Sequence, residues 1–299
     1  TTNGLIEVSR GCGRGCAYCT SAISGAMRCI PIETVKESVE VNVRGEVADI
    51  ALQSDDALLY GSNSRKFVPD QDSVLTLLNE LCSIRGVKTV SFLHFTFASI
   101  LASPGIVRKV TDFLKNRGRG RFEVQMGIET GSPRLVRRHM CGKTLPFSPE
   151  EWPEVVVKAA HILRENGWFC HATLMLGLPG ETVDDVVETT ELVRRLRGSP
   201  MVITPLFFSP SECTSLRACE SFSREDMSTE HHLLLHEIGK HNEKMASFNR
   251  EAGFINSYLL HSRSHEQHSA SNNQTRANRP ISDNISRVKG SAFAYERKT

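Results

Sequence analysis

The sequence predicts an α/β fold: a partial (β/α)6 TIM-like barrel of parallel strands with outer helices, followed by a C-terminal helical extension and a polar tail. Six short β-branched or apolar runs alternate with stretches of helical period. Several runs are apolar along their whole length, as parallel strands covered by helices are. A chain of 299 residues has room for one such domain, since α/β barrels run to about 200–250 residues as a unit.

LIEVS (5–9) is the first strand, and Val35, Val39, Val43 and Val47 mark the helix that leads to DIALQ (49–53). Val74, Leu77, Leu78 and Leu81 form a second stripe before KTVSFLHF (88–95). Ile106, Val110, Phe113 and Leu114 form a third before RFEVQMGIE (121–129). Val155, Ala159, Ile162 and Leu163 share a face ahead of FCHATLMLG (169–177), and Val183, Val186, Val187 and Val193 precede MVITPLFF (201–208). The barrel thus takes residues 1–210. Residues 211–260 form the helical extension, with an amphipathic helix over 225–250 on which His231, His232, His236 and His241 are read as solvent-facing. Residues 261–299 are rich in Ser, Asn, His and Arg, so burial cannot offset their ordering entropy, and they read as a poorly ordered tail.

Thirty-six Lys and Arg against 34 Asp and Glu give a net charge of +2, with no electrostatic ground for nucleic acid or an acidic membrane as partner. The basic stretch KNRGRGR (115–121) precedes a strand and reads as a solvated loop. No apolar run reaches the roughly 18 residues of a membrane span, and no signal peptide is visible, so the expected location is cytoplasmic. Nine cysteines, an odd and irregular set, point to reduced thiols rather than a disulfide scaffold. The chain begins at Thr1, close before its cysteine cluster, which is compatible with a longer parent protein.

Chemistry in such folds collects in the loops after the strands. In the first of these, CGRGCAYC places Cys12, Cys16 and Cys19 among Gly11, Gly13 and Gly15, which let the backbone curl and aim three thiolates at one centre. With Cys29 as fourth ligand the site would be a closed zinc or iron–sulfur centre. With three ligands it is a 4Fe–4S cluster with one iron open to chemistry.

CGRGCAYC, with Tyr18 before the third cysteine, resembles the motif of the radical S-adenosylmethionine (radical SAM) superfamily. SDD (54–56), GIETGS (127–132) and GLPGET (177–182) resemble later segments of the same family in order and spacing. The resemblance implies that Cys12, Cys16 and Cys19 bind the 4Fe–4S cluster and that SAM chelates its open iron. An electron then cleaves SAM to a 5′-deoxyadenosyl radical that takes hydrogen from a substrate. It implies Tyr18 near the adenine, and Ser54, Asp55 and Asp56 at the SAM amino group. Glu129, Thr130, Gly131 and Ser132 fall at a SAM-contacting turn, with Gly131 open to a ligand and Ser132 able to cap the next helix. Gly177 and Gly180 frame the adenosine. Among Arg134, Arg137, Arg138 and Lys143 the resemblance seeks a partner for the SAM carboxylate.

The motif combination is most similar to the branch associated with cobalamin-binding domains. It implies methylation, cyclisation or C–C bond formation, with cobalamin reached through an upstream domain not in this chain. One alternative is a methylthiotransferase of tRNA or protein; another is a non-catalytic iron–sulfur or zinc-binding protein. The expected partners are a flavodoxin- or ferredoxin-like electron donor and an unidentified substrate.

Overall fold

Alternation along each strand decides which side chains meet the helices. The computed structural model describes residues 3–62 and 67–251. Its main strands are β1 (Leu5–Glu7), β2 (Asp49–Gln53), β3 (Thr89–Phe92), β4 (Phe122–Glu129), β5 (Trp168–Leu176) and β6 (Met201–Phe207). Ile6, Ile50, Leu52, Val90, Phe92, Val124, Met126, Ile128, Leu174 and Ile203 are buried in one continuous core with the helices. The intervening positions Glu7, Gln53, Ser91, Gln125, His171, Thr173 and Thr204 are half-buried and line the concave side.

The helices are α1 (Ile32–Arg44), α2 (Gln71–Cys82), α3 (Phe97–Ala102), α4 (Pro104–Lys115), α5 (Pro133–His139), α6 (Trp152–Glu165), α7 (Val183–Arg195) and α8 (Thr229–Glu251). Strands β1–β2–β3 form one parallel ladder and β4–β5–β6 another. A parallel bridge between His94 and Gln125 joins the two, with Phe95 N donating to Gln125 O at 3.2 Å and Gln125 N to Leu93 O at 2.8 Å. Among the described residues β1 and β6 do not pair, so the sheet curls without closing. A two-residue antiparallel ladder, Ser9–Arg10 with Arg28–Cys29, clasps the base of the first loop.

Several expectations need correction. In α7 the buried residues include Asp185, Thr189 and Thr190, while Val183 and Val187 are about half exposed (50% and 51%). That helix turns polar groups inward because it packs on another loop's backbone, as described below. Helix α3 has no stripe to betray it, being short and nearly all apolar; Thr96 caps it by accepting from Ser99 N at 3.2 Å. His231 and His241 are buried rather than solvent-facing: His241 Nε2 meets Met201 O at 3.0 Å. Arg119, in the basic stretch, donates to Val90 O at 2.8 Å and is half-buried. The predicted tail, 261–299, lies outside the described residues. No described helix is long and apolar enough to cross a membrane.

Candidate active site

Glycine shapes the loop after β1. Gly11, Gly13 and Gly15 take φ of 73°, 70° and 67°, the left-handed region that side chains disfavour, and so curl the chain around Cys12, Cys16 and Cys19. Cys16 is buried, Cys12 and Cys19 half-buried, and none forms a disulfide. Burial pushes the Cys12 and Cys16 thiols up, and the charge of a neighbouring cysteine pushes each further. The Lys143 ammonium and the Tyr18 hydroxyl oppose this at Cys16 by favouring its thiolate. The Tyr18 hydroxyl also reaches Met140 Sδ at 3.3 Å, so its ring rather than its oxygen is what it offers a ligand. Cys29 is exposed on the antiparallel ladder, its Sγ accepting from Gly61 N at 3.2 Å.

Strand β4 ends in a strained turn. Thr130 N donates to Ile128 O at 2.9 Å, closing a three-residue turn with Glu129 at its centre and φ of 66°. Such backbone costs about 1–3 kcal/mol and persists only where surroundings impose it. Here the buried Trp152 imposes it, its Nε1 donating to Ile128 O at 3.2 Å and to Thr130 O at 3.0 Å. The Glu129 carboxylate folds back into the space that Gly127 leaves by having no side chain. There it accepts from Lys143 Nζ at 2.9 Å and Thr173 Oγ1 at 3.2 Å. Both side chains of the pair are nearly buried, at 9% and 12% exposure. Burial works against the Lys143 charge, but the neighbouring Glu129, together with Cys16, outweighs it and raises the lysine.

The SDD segment splits in its roles. Ser54 is buried against Ser9, Oγ to Oγ at 2.6 Å. Asp56 is fully buried and accepts from Thr96 Oγ1 at 2.6 Å, Ser99 Oγ at 2.5 Å and Arg14 Nη2 at 3.2 Å. Asp55 is half-buried beside the cysteine loop, taking a hydrogen bond from Ser21 Oγ at 2.9 Å and raising the Cys12 thiol by its charge.

The other two segments interlock. Gly131 N donates to Thr189 Oγ1 at 2.9 Å, and a Cβ on Gly131 would stand 2.6 Å from Thr189 Cα, so the close approach there is made by α7. Thr130 Oγ1 meets the same hydroxyl at 3.1 Å. Ser132 sits at the start of α5 without capping it; its Oγ donates to Asp185 Oδ1 at 2.6 Å. Asp185 also accepts from Arg134 and from Thr182 N and Oγ1. Burial alone would raise this carboxyl, but the donors hold it well below the usual carboxylate range. Gly177 and Gly180 have φ of 77° and 78°, and side chains there would collide with the Phe222 ring and the Arg138 guanidinium. Glu181 accepts from Gly177 N at 2.7 Å and pairs with His231 Nε2 at 2.9 Å.

Four residues escaped the sequence reading. Thr173 and His171 are polar residues at alternate positions of an apolar strand, a signal of a concave face that was available. His171 Nε2 lies 3.2 Å from Glu123 Oε2, and His94 Nε2 lies 3.1 Å from Gln125 Oε1. Arg14 gave no signal, because an arginine in a glycine-rich loop reads as solvated.

A sequence profile of the radical SAM superfamily matches residues 6–193. The chain belongs to the radical SAM superfamily. Among its relatives, an uncharacterized protein of Methanopyrus kandleri is 28% identical, over 63% of this chain and 34% of that protein. The ribosomal protein uS12 methylthiotransferase RimO of Trichlorobacter lovleyi is 26% identical, over 64% and 39%. A tRNA-2-methylthio-N(6)-dimethylallyladenosine synthase of Fusobacterium nucleatum is 24% identical, over 64% and 40%. The chain spans well under half the length of these relatives. A solved structure of TsrM, a radical SAM methyltransferase from Kitasatospora setae with cobalamin and a [4Fe–4S] cluster bound, aligns at 17% identity and a TM-score of 0.47, over 72% of this chain and 38% of that one.

The chain falls in a superfamily whose members use a 4Fe–4S cluster and SAM and need a reductant. The chain's donor set suits the cluster. Three free thiols on a loop curled by left-handed glycines fit such a ligand.

Proposed function

We propose that Cys12, Cys16 and Cys19 hold a 4Fe–4S cluster beside SAM, a pair that supplies reductive cleavage to a 5′-deoxyadenosyl radical and hydrogen abstraction from a substrate. The observation that carries this reading is the loop of three free thiols curled by left-handed glycines, with the nearly buried Glu129–Lys143 pair beside the turn whose Gly142 packs on that loop's backbone. Lys143 offers an ammonium to the SAM carboxylate, Asp55 a carboxylate to the amino group, and Glu129 an acceptor for a hydroxyl or the ammonium. The Tyr18 ring and the Gly177–Gly180 turn frame the adenine side. Ser54, Asp56, Thr130, Gly131 and Ser132 serve by fixing loops, as their contacts within the protein support.

The motif combination supports methylation, cyclisation or C–C bond formation with cobalamin from an upstream domain. A second reading, methylthio transfer to tRNA or protein, is supported by the methylthiotransferases among the relatives. A cytoplasmic location and a flavodoxin- or ferredoxin-like donor suit an oxygen-sensitive cluster, and a division at residues 210 and 260 suits the change in composition. The test is an anaerobic assay of iron-reconstituted protein with SAM and dithionite, following 5′-deoxyadenosine. Native protein and Cys29→Ala should form it and Cys16→Ala should not. Cluster loss in Cys29→Ala would indicate a closed four-cysteine site and defeat the proposal.

A further inference from the structure

Arg14 stands between the first two cysteines, yet its side chain is only 3% exposed. Six hydrogen bonds account for that. Nη1 donates to the carbonyls of Gly142, Lys143 and Leu145 at 3.1, 3.0 and 3.0 Å. Nη2 donates to Asp56 Oδ2 at 3.2 Å, Thr96 Oγ1 at 3.2 Å and Ser99 Oγ at 3.0 Å. The Phe67 ring centroid lies 4.8 Å from the guanidinium carbon. The backbones meet as well: a Cβ on Gly142 would collide with the Arg14 carbonyl, and Ala17 N donates to His139 O at 2.7 Å.

Gathering three carbonyls of one turn on a single nitrogen fixes that turn against the cysteine loop, and Lys143 belongs to the turn. A lysine at position 14 has no planar fork and cannot satisfy acceptors on two sides at once. Asp56 pairs with the guanidinium at 3.2 Å and offsets a charge that works against that of Lys143. We infer that Arg14 is a positioning residue that sets the Lys143 ammonium, and with it the Glu129–Lys143 pair, at a fixed place over the cluster loop. This rests on the reading that the pair faces SAM.

The test measures SAM affinity of cluster-loaded protein by equilibrium dialysis, and the SAM-induced change in the electron paramagnetic resonance of the reduced cluster. The variants are Arg14→Lys, Lys143→Met and their double; the charge-neutral pair Arg14→Met with Asp56→Asn replaces Arg14→Lys if the latter does not fold. Lys143→Met and the Arg14 variant should each weaken SAM at least about tenfold, and the double should be no weaker than Lys143→Met alone, since both act through one contact. If Lys143→Met binds SAM like the native chain, the reading of the pair fails. If it weakens SAM while the Arg14 variants bind normally, or if the losses add, the role of Arg14 is overturned and the pair stands. Folded Arg14 variants that hold no cluster would also overturn it, since Arg14 would then serve the cluster itself. In protein without cluster, the amides of 142–145 should exchange at least about tenfold faster in Arg14→Lys, with those of β5 unchanged; equal exchange at 142–145 counts against the inference.

Discussion

The loop after β1 and the loops after β4 and β5 meet at one mouth and are built by opposite means. The first is curled by left-handed glycines and carries three free thiols. The other two are locked to each other: Gly131 and Thr130 on Thr189, Ser132 and Arg134 on Asp185. On the reading proposed above, motif residues across both divide into those that face a ligand and those that make the facing possible. Glu129 is the member of the second region that turns toward the first, through Lys143.

If that division is right, Glu129→Gln has the largest effect. It leaves Lys143 buried without its counter-charge, destabilising by about 3 kcal/mol, and lowers SAM affinity at least about tenfold. Thermal melting and SAM binding read the two losses; a folded variant with native SAM affinity would place Glu129 with the loop-fixing residues. Gly131→Ala should destabilise by about 2 kcal/mol through overpacking on α7, without altering the SAM affinity of the folded fraction.

Asp185 supplies a pH dependence of similar size. Its carboxyl titrates lower in the folded chain than in the unfolded one, so its contribution is complete above about pH 4 and is lost as pH falls through the folded value, on the order of 2 kcal/mol in all. Melting temperatures taken from pH 5 to pH 2 should therefore fall less steeply in Asp185→Asn than in the native chain. Thr182→Ala removes the cap of α7, where Thr182 and Asp185 exchange hydrogen bonds, and should cost about 1 kcal/mol in denaturant unfolding. Val187→Gln, on the exposed face of the same helix, should change stability by less than about 0.5 kcal/mol; a larger loss would mean that this face is covered.

The strands and most helices were legible because apolar residues recur at the period of each element, as with Val35 and Val39 on α1 or Leu77 and Leu78 on α2. The mouth was legible in part. Cysteine chemistry is written in spacing, so the thiols could be placed from sequence. What a glycine packs against is not: side chains at Gly131, Gly177 and Gly180 would meet Thr189, Phe222 and Arg138, neighbours that only the fold brings near. His231 and His241 were misread for the same reason, since a histidine on an amphipathic helix gives no sign that a distant carboxylate or carbonyl awaits it. Lys143 stood among several basic candidates, and only the turn at Glu129 singles it out.

A ring of strands hydrogen-bonded all the way round has its girth fixed by strand number and stagger. Here β1 and β6 are not stitched together among the described residues. The width of the concave side is therefore not fixed by rungs across that seam and is left to the packing of the helices behind the strands.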